Sequence, residues 1–216
     1  MKMLAAAIWM GTAAAALACD VELILTVDVS GSINEEEYRL QMDGLAAALD
    51  DAAIGDALVK AQAQVTLVQW SGSSRQDVTI PWRQMQTLDD VSTFVNLVRE
   101  AQRPWRHFST AIGDMLYRVG PLLEEVSCKH SVIDVSGDGV SNEGPIPDEA
   151  RNGLVVRGVR INALAILGAS DTDLTAYFRK HVIGGLNSFV YEAASYEDYP
   201  RTIRRKLLDE ITEPVS

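Results

Sequence analysis

Apolar segments of two kinds alternate along the chain. Short, near-continuous apolar runs rich in β-branched residues, such as Val21–Val27, have the length and composition of buried strands. Between them lie longer segments, such as Asn34–Leu49, whose apolar residues recur every three or four positions, which is typical of helices with one buried face. The pattern therefore predicts strands that alternate with helices.

This alternation assigns most of the chain to secondary structure. The predicted strands are Val21–Val27, Gln64–Trp70, Asp77–Trp82, Ser131–Ser136, Arg160–Leu167 and Ser188–Glu192. The predicted helices are Asn34–Leu49, Asp89–Arg99, Thr110–Glu125, Asp148–Arg157, Asp171–His181 and Tyr196–Ile211. Apolar strands that alternate with helices indicate a mainly parallel sheet covered on both faces. The expected fold class is therefore α/β, with a doubly wound, mainly parallel six-stranded sheet and helices on both faces.

The first 18 residues differ from the rest of the chain. Lys2 is their only charged residue, and the Ala-rich apolar run that follows ends in Ala16-Leu17-Ala18. We expect a secretory signal peptide over residues 1–18, cleaved before Cys19. A helix of the fold or a transmembrane anchor is less consistent with the run, because it has no polar face and is short for a bilayer. Residues 19–216 are expected to form a single domain, in the periplasm or secreted from the cell.

The composition limits the classes of partner. With 216 residues, 47% hydrophobic and 23% charged, the chain has the size and balance of a folded domain. Its 30 acidic and 19 basic residues give a net charge of -11. This charge opposes nonspecific binding of nucleic acid or anionic lipid. We therefore expect no nucleic-acid partner and no membrane insertion after removal of the signal peptide. A monomer is the expected oligomeric state.

The chain contains two cysteines, Cys19 and Cys128. Export would place them in an oxidising compartment, where a disulfide persists. Cys19 precedes Asp28 by nine residues and Cys128 precedes Asp138 by ten, so on neighbouring parallel strands both cysteines lie near the same edge. We therefore predict a Cys19–Cys128 disulfide. The alternative, a lipid-modified Cys19, lacks the leucine usually found three residues earlier, where Ala16 stands.

Oxygen-bearing side chains follow two of the predicted strands. The stretch D-V-S-G-S, from Asp28 to Ser32, ends the first strand, and S-G-D-G, which carries Asp138, ends the strand Ser131–Ser136. In a doubly wound sheet, ligands bind outside the carboxyl ends of the strands, so the two loops are expected to face each other if their strands are neighbours. Carboxylate and hydroxyl oxygens without His or Cys suit hard divalent cations, magnesium in particular.

These motifs resemble those of von Willebrand factor A domains. The stretch D-V-S-G-S is similar to their D-x-S-x-S signature, T-A-I-G at Thr110–Gly113 resembles their threonine loop, and S-G-D-G resembles the loop with their last aspartate. Phe108 and Ser109 stand where members often have two glycines. The resemblance covers nearly all of residues 19–216 and extends to a secreted bacterial subgroup of uncharacterised function. It implies a metal-ion-dependent adhesion site whose ligands are Asp28, Ser30, Ser32, Thr110 and Asp138.

The resemblance also implies how the site works. It implies Mg²⁺, with Mn²⁺ or Ca²⁺ as alternatives, and an open coordination position that an acidic side chain of a partner protein completes. Trp105, Arg106 and His107 come just before the threonine loop, so they could form a rim that contacts the partner; the alternative is a partly packed loop. The implied function is an exported, metal-dependent protein-binding domain.

The alternative function is catalytic. In this alternative the protein is a metal-assisted phosphatase or esterase that uses the same oxygen cluster, with Asp134 or His107 as the base. The sequence has no G-x-S-x-G or S-x-x-K motif, and serine occupies position 30, where an aspartyl phosphotransferase would have a second acid. We therefore expect binding rather than catalysis. Asp134 lies inside a predicted central strand, where an acid is costly unless it is paired, and the sequence does not identify its partner.

Overall fold

The computed structural model describes residues 19–168 and 173–212. Its strands are β1 (Val21–Asp28), β2 (Gln64–Trp70), β3 (Gln76–Gln84), β4 (His130–Gly137), β5 (Arg160–Ile166) and β6 (Val190–Ala193). Its helices are α1 (Glu35–Leu49), α2 (Ala52–Lys60), α3 (Leu88–Glu100), α4 (Ile112–Val119), α5 (Pro147–Val156), α6 (Leu174–Tyr177) and α7 (Tyr199–Thr212). The predicted signal peptide lies outside the described residues.

The six strands form one sheet in the order β3-β2-β1-β4-β5-β6. Neighbouring strands are parallel except β2 and β3, which are antiparallel. The strand order reverses between β1 and β4, which pair directly, so the loops that follow these two strands meet at the carboxyl edge of the sheet. The predicted fold class is therefore confirmed, and the strands that lead into Asp28 and Asp138 are neighbours.

Helices cover both faces of the sheet because successive strand residues point to opposite sides. In β1, Leu23 and Leu25 join the hydrophobic core beneath α1, α2, α3 and α7, whereas Ile24 joins the core beneath α4, α5 and α6. All eight residues of β1 are buried, because the strand is central and helices cover both of its faces. Among the described helices, none combines the length and apolar character needed to cross a bilayer.

Three helices differ from the prediction. The helix α2 was not predicted, because its two large buried residues, Ile54 and Leu58, form only one turn of apolar repeat around Gly55. The predicted helix Thr110–Glu125 begins at Ile112 and tightens into a 3₁₀ turn over Gly120–Glu124, where Pro121 cannot donate a helical hydrogen bond. The predicted helix Asp171–His181 starts at Leu174 within the described residues and ends in a π-helical turn.

The disulfide joins Cys19 to Cys128, with 4.8 Å between their Cα atoms. The register of β1 and β4 pairs Val21 with His130, two residues after each cysteine, which places both at the amino edge of the strand pair. The covalent link and the candidate site therefore lie at opposite ends of the same two strands.

Asp134 is enclosed in an ionic cluster between the sheet and α7. Its Oδ1 lies 2.7 Å from Nζ of Lys206, which is 3.3 Å from each carboxylate oxygen of Glu210, and all three side chains are buried. Asn162 donates a hydrogen bond to Glu210 at 2.5 Å. Burial raises the pKa of Asp134 to about 7, although the Lys206 ammonium opposes the shift. The acid in the central strand thus has its partner on α7, and it is remote from solvent.

Candidate metal centre

The five predicted ligands come together at the carboxyl edge of the sheet. Asp28 ends β1, Asp138 follows β4, and Thr110 lies in the segment between α3 and α4. Thr110 donates to the hydroxyl of Ser30 at 3.2 Å, and the hydroxyls of Ser30 and Ser32 are 3.3 Å apart. The Ser32 hydroxyl donates to Oδ1 of Asp138 at 2.8 Å. A continuous row of oxygen atoms therefore links three segments that are distant in sequence.

Asp28 is fully buried, and only one of its carboxylate oxygens is satisfied. Oδ1 accepts a hydrogen bond from the backbone N–H of Ser30 at 2.7 Å. Oδ2 is buried without a hydrogen-bond partner among the described residues. A buried carboxylate oxygen in this state is costly, and a cation would supply the missing interaction.

The donor types at this site fit a hard cation. The hydrogen of Ser32 is directed to Asp138, so the contact with the Ser30 hydroxyl at 3.3 Å uses one lone pair of the Ser32 oxygen, and the other lone pair remains available for a metal. Within the described residues, no group of three or more His, Cys, Asp or Glu side chains could hold a metal ion. Binding here would therefore depend on two carboxylates, on hydroxyls and on retained water, a set that suits Mg²⁺.

Electrostatics at the site disfavour two free carboxylates. Burial, followed by the charge of Asp138, raises the pKa of Asp28 to about 8. Burial also raises the pKa of Asp138, and the hydrogen bond from Ser32 opposes that shift. A divalent cation would reverse this repulsion, because it favours the charged form of both acids.

Two side chains that the sequence analysis did not identify hold the D-V-S-G-S loop. Arg103 donates to the carbonyl oxygens of Val29 and Ser30 at 3.0 and 2.8 Å. The buried Gln41 of α1 donates to the carbonyl oxygen of Asp28 at 3.0 Å. Both residues bind backbone atoms, and a lone arginine or glutamine in the sequence gives no signal of such a role.

The threonine loop reaches the site without the two glycines that members often have. His107 takes the left-handed conformation, with φ of 63°, which is uncommon for a residue with a side chain. The backbone N–H of Gly31 donates to the carbonyl oxygen of Phe108 at 2.7 Å. Asn142, in the loop after β4, accepts a hydrogen bond from the N–H of Thr110 at 2.9 Å. The loop is therefore held from both sides.

The three predicted rim residues have different surroundings. Trp105 is partly buried and packs against the core, as a packed loop residue would. Arg106 pairs with Glu35 at 2.9 Å. His107 is exposed and, with Phe108, lines a cavity of about 610 Å³ that opens over Ser32, Thr110 and Asp138.

The sequence of residues 18–215 matches a protein family described as a protein of unknown function, DUF1194. Comparison with curated proteins found no match.

Solved structures with a similar fold include a mussel byssus protein, a von Willebrand factor type A protein and a pilus adhesin. Proximal thread matrix protein 1 from the mussel byssus has a TM-score of 0.69 at 20% identity. The match covers 89% of this chain and 48% of the mussel protein. A further structure of that protein has a zinc-occupied MIDAS motif. The von Willebrand factor type A protein from Catenulispora acidiphila has a TM-score of 0.67 at 16% identity. The match covers 92% of this chain and 44% of the Catenulispora protein.

The pilus adhesin SpaC from Lactobacillus rhamnosus GG has a TM-score of 0.66 at 14% identity, and the match covers 90% of this chain and 30% of the adhesin. The chain thus spans less than half the length of each of these three proteins. At these identities the likeness shows the fold alone. The family match and the shared fold lead to one conclusion: the chain belongs to the DUF1194 family, and its fold is that of von Willebrand factor A domains.

Proposed function

We propose that the protein is an exported interaction domain that holds one divalent cation and binds an acidic side chain of a partner protein. The proposed ligands are Asp28, Ser30, Ser32, Thr110 and Asp138. The observation that carries the proposal is the unpartnered Oδ2 of the buried Asp28. The other oxygen of this carboxylate accepts from the N–H of Ser30, whose hydroxyl lies 3.2 Å from that of Thr110 and 3.3 Å from that of Ser32.

The five residues have three different roles in this proposal. Ser30 and Ser32 would bind the cation directly through oxygen lone pairs, Asp28 and Asp138 partly through water, and Thr110 in a conformation-dependent way. Mg²⁺ is the proposed ion, with Mn²⁺ or Ca²⁺ as alternatives, because Mg²⁺ commonly retains water beside one or two carboxylates. When bound, it supplies an open coordination position for a carboxylate. The zinc-occupied motif in the mussel protein, which shares the fold, supports a divalent metal.

Export to the periplasm or beyond the cell is part of the proposal. It is supported by the Cys19–Cys128 disulfide, because such bonds persist in oxidising compartments, and by the signal-like sequence of residues 1–18. We propose residues 19–216 as the mature domain.

Binding is favoured over hydrolysis by the surroundings of the two candidate bases. Asp134 is 2% exposed and paired with Lys206, so it does not reach the carboxyl edge. His107 makes no described hydrogen bond to a residue that would orient its ring as a base, in contrast to His181, whose Nδ1 lies 2.8 Å from Oδ2 of Asp148.

Titration calorimetry with magnesium and manganese tests the site. We expect the wild type to bind both ions and Asp28→Asn, which keeps the size of the side chain, to lose at least about tenfold in affinity. Asp56→Asn, an exposed acid on α2, is the matched control and should bind like the wild type. Negligible binding by the wild type, or equal binding by Asp28→Asn, would contradict the proposal.

A turnover assay separates binding from catalysis. Generic phosphatase and esterase substrates should show no metal-dependent turnover with the wild type. Turnover that chelator and Asp138→Ala both abolish would instead establish the hydrolase.

A further inference from the structure

Tyr177, the last residue of α6, contacts a loop of the candidate metal centre from outside the site. Its side chain is half-buried, and its hydroxyl oxygen accepts a hydrogen bond from the backbone N–H of Ser141 at 3.2 Å. Ser141 lies in the loop after β4, three residues beyond the proposed ligand Asp138. The contact therefore joins a helix to the loop that carries one of the proposed ligands.

Ser141 also holds the threonine segment. Its hydroxyl lies 3.4 Å from the carbonyl oxygen of Thr110 and accepts a hydrogen bond from the backbone N–H of Ile112 at 3.1 Å. The neighbouring Asn142 donates its backbone N–H to the carbonyl oxygen of Thr110 at 2.9 Å. The loop after β4 and the threonine segment are thus bound to each other, and together they carry Asp138 and Thr110.

The ring of Tyr177 packs against a second residue that is itself fixed. The ring centroid lies 4.9 Å from that of His181, in the π-helical turn that follows α6. Nδ1 of His181 lies 2.8 Å from Oδ2 of Asp148 on α5, and Arg151 of the same helix pairs with Asp148 at 3.2 Å. These contacts give the Tyr177 hydroxyl a defined position.

Helix α6 is in turn attached to the sheet. The hydroxyl of Thr175 donates to Oε2 of Glu192 in β6 at 2.6 Å. Leu174 is buried in the core beneath α4, α5 and α6, and it also lines the cavity over the candidate metal centre. The hydrogen bond from Ser141 to Tyr177 therefore connects the loop of Asp138 to the body of the domain.

The rigidity of this loop matters because magnesium and calcium need different geometries. Magnesium requires near-ideal octahedral coordination with metal–oxygen distances of about 2.0–2.1 Å. Calcium accepts more oxygen ligands at about 2.3–2.6 Å, in flexible arrangements. A loop that can move outward would therefore still accommodate calcium but would bind magnesium less well.

We propose that the Tyr177 hydroxyl determines the preference of the site for magnesium over calcium, because it fixes the loop that carries Asp138. This inference rests on the proposed function, in which that loop supplies a ligand to the cation. Tyr177 is a positioning residue in this proposal. It acts through Ser141 and does not contact the ion.

Titration calorimetry of Tyr177→Phe with magnesium and, separately, with calcium tests the inference. The substitution removes the hydroxyl and leaves a ring beside His181. We expect magnesium affinity to fall about fivefold, as is typical for the loss of one neutral hydrogen bond, and calcium affinity to change by less than about twofold. Tyr117→Phe, at an exposed tyrosine of α4, is the matched control and should bind both ions like the wild type.

Amide hydrogen exchange gives a readout that does not depend on bound metal. In metal-free Tyr177→Phe the N–H of Ser141 loses its acceptor, so its exchange, followed by NMR, should be at least about fivefold faster than in the wild type. Tyr117→Phe should leave this rate unchanged. An unchanged rate in Tyr177→Phe would show that the hydrogen bond does not hold the loop and would overturn the inference.

The calorimetric outcomes separate the two proposals. Equal losses of affinity for magnesium and calcium in Tyr177→Phe would indicate a general structural role and would overturn this inference. Unchanged magnesium affinity in Tyr177→Phe would also overturn it. In both cases the proposed function would stand, because the wild type binds magnesium. Negligible binding of magnesium by the wild type would overturn both proposals.

Discussion

Arg103 donates a hydrogen bond to the carbonyl oxygen of Ser30 at 2.8 Å, from the loop that precedes the threonine segment. The same nitrogen donates to the carbonyl oxygen of Val29 at 3.0 Å. One guanidinium therefore fixes the peptide groups on both sides of Ser30, the first proposed serine ligand. This contact ties the orientation of Ser30 to a residue more than seventy positions later.

We expect Arg103→Lys to lower magnesium affinity about tenfold, because lysine keeps the charge but cannot reproduce the planar donor geometry of arginine. Calorimetry measures the affinity, and a thermal melt shows that the variant is folded. Arg106→Lys, at the exposed rim, is the control and should bind like the wild type. Equal affinities in all three proteins would show that Arg103 does not position the loop.

Gly31→Ala should reduce both stability and metal binding. A Cβ at this position would lie 3.1 Å from the Cα of His107 and 3.1 Å from the carbonyl oxygen of Phe108, and backbone atoms yield little. We expect a loss of about 1–3 kcal/mol in the free energy of unfolding, measured with denaturant. Gly153→Ala in α5 meets nothing within 4 Å, so it should be neutral or stabilising by about 0.5–1 kcal/mol. If the two variants have equal free energies of unfolding, the D-V-S-G-S loop does not pack tightly against the loop that contains His107 and Phe108.

The metal-free protein should lose stability as the pH rises from about 5 to 8. Burial raises the pKa of Asp28 from 3.8 to about 8, so the folded state binds this proton more tightly than the unfolded state. The resulting contribution is fully present below the unfolded pKa and is lost as the pH rises through the folded value. Asp134, with a pKa raised to about 7, contributes with the same sign.

Thermal melts in chelator across this range measure the effect. Asp28→Asn should flatten the pH dependence in part, and saturating magnesium should flatten it in the wild type, because the bound cation favours the carboxylate. A stability that rises between pH 5 and 8 would contradict the assignment of a protonated Asp28 in the metal-free state.

Loss of the disulfide should destabilise the protein strongly. The link closes a segment with a sequence separation of 109, for which the chain-entropy estimate is about 4–5 kcal/mol, less any effect of strain. We expect the Cys19→Ser and Cys128→Ser double variant to lose about 2–5 kcal/mol in denaturant unfolding. Reduction of the wild type should give the same loss. A difference below about 1 kcal/mol would mean that the reduced chain is held by other contacts.

The sequence predicts the parts of this fold that depend on a repeated apolar pattern. Val21–Val27 and Ser131–Ser136 are short, mainly apolar segments rich in β-branched residues, so their assignment as strands could be made before the structure. The helix α2 was missed because one turn of buried residues is too short a repeat to recognise.

The residues of the candidate site could likewise be predicted only in part from the sequence. The oxygen-bearing residues stand next to strand ends in recognisable motifs, whereas Arg103 and Gln41 act on backbone carbonyls and carry no motif. The partner of Asp134 could not be inferred because Lys206 is 72 positions away on a helix whose other basic residues are exposed. Long-range pairs of this kind depend on tertiary packing alone.

Because Lys206 is buried, its reaction with a chemical reagent can report when α7 detaches from the sheet. Of the four lysines in the described residues, Lys60, Lys129 and Lys180 are exposed, whereas Lys206 is buried and paired with Asp134 and Glu210. An amine-reactive reagent should therefore acylate the first three at once and Lys206 only when the helix detaches from the sheet. The rate of that slow modification, read by peptide mass mapping, reports the opening of α7 under native conditions.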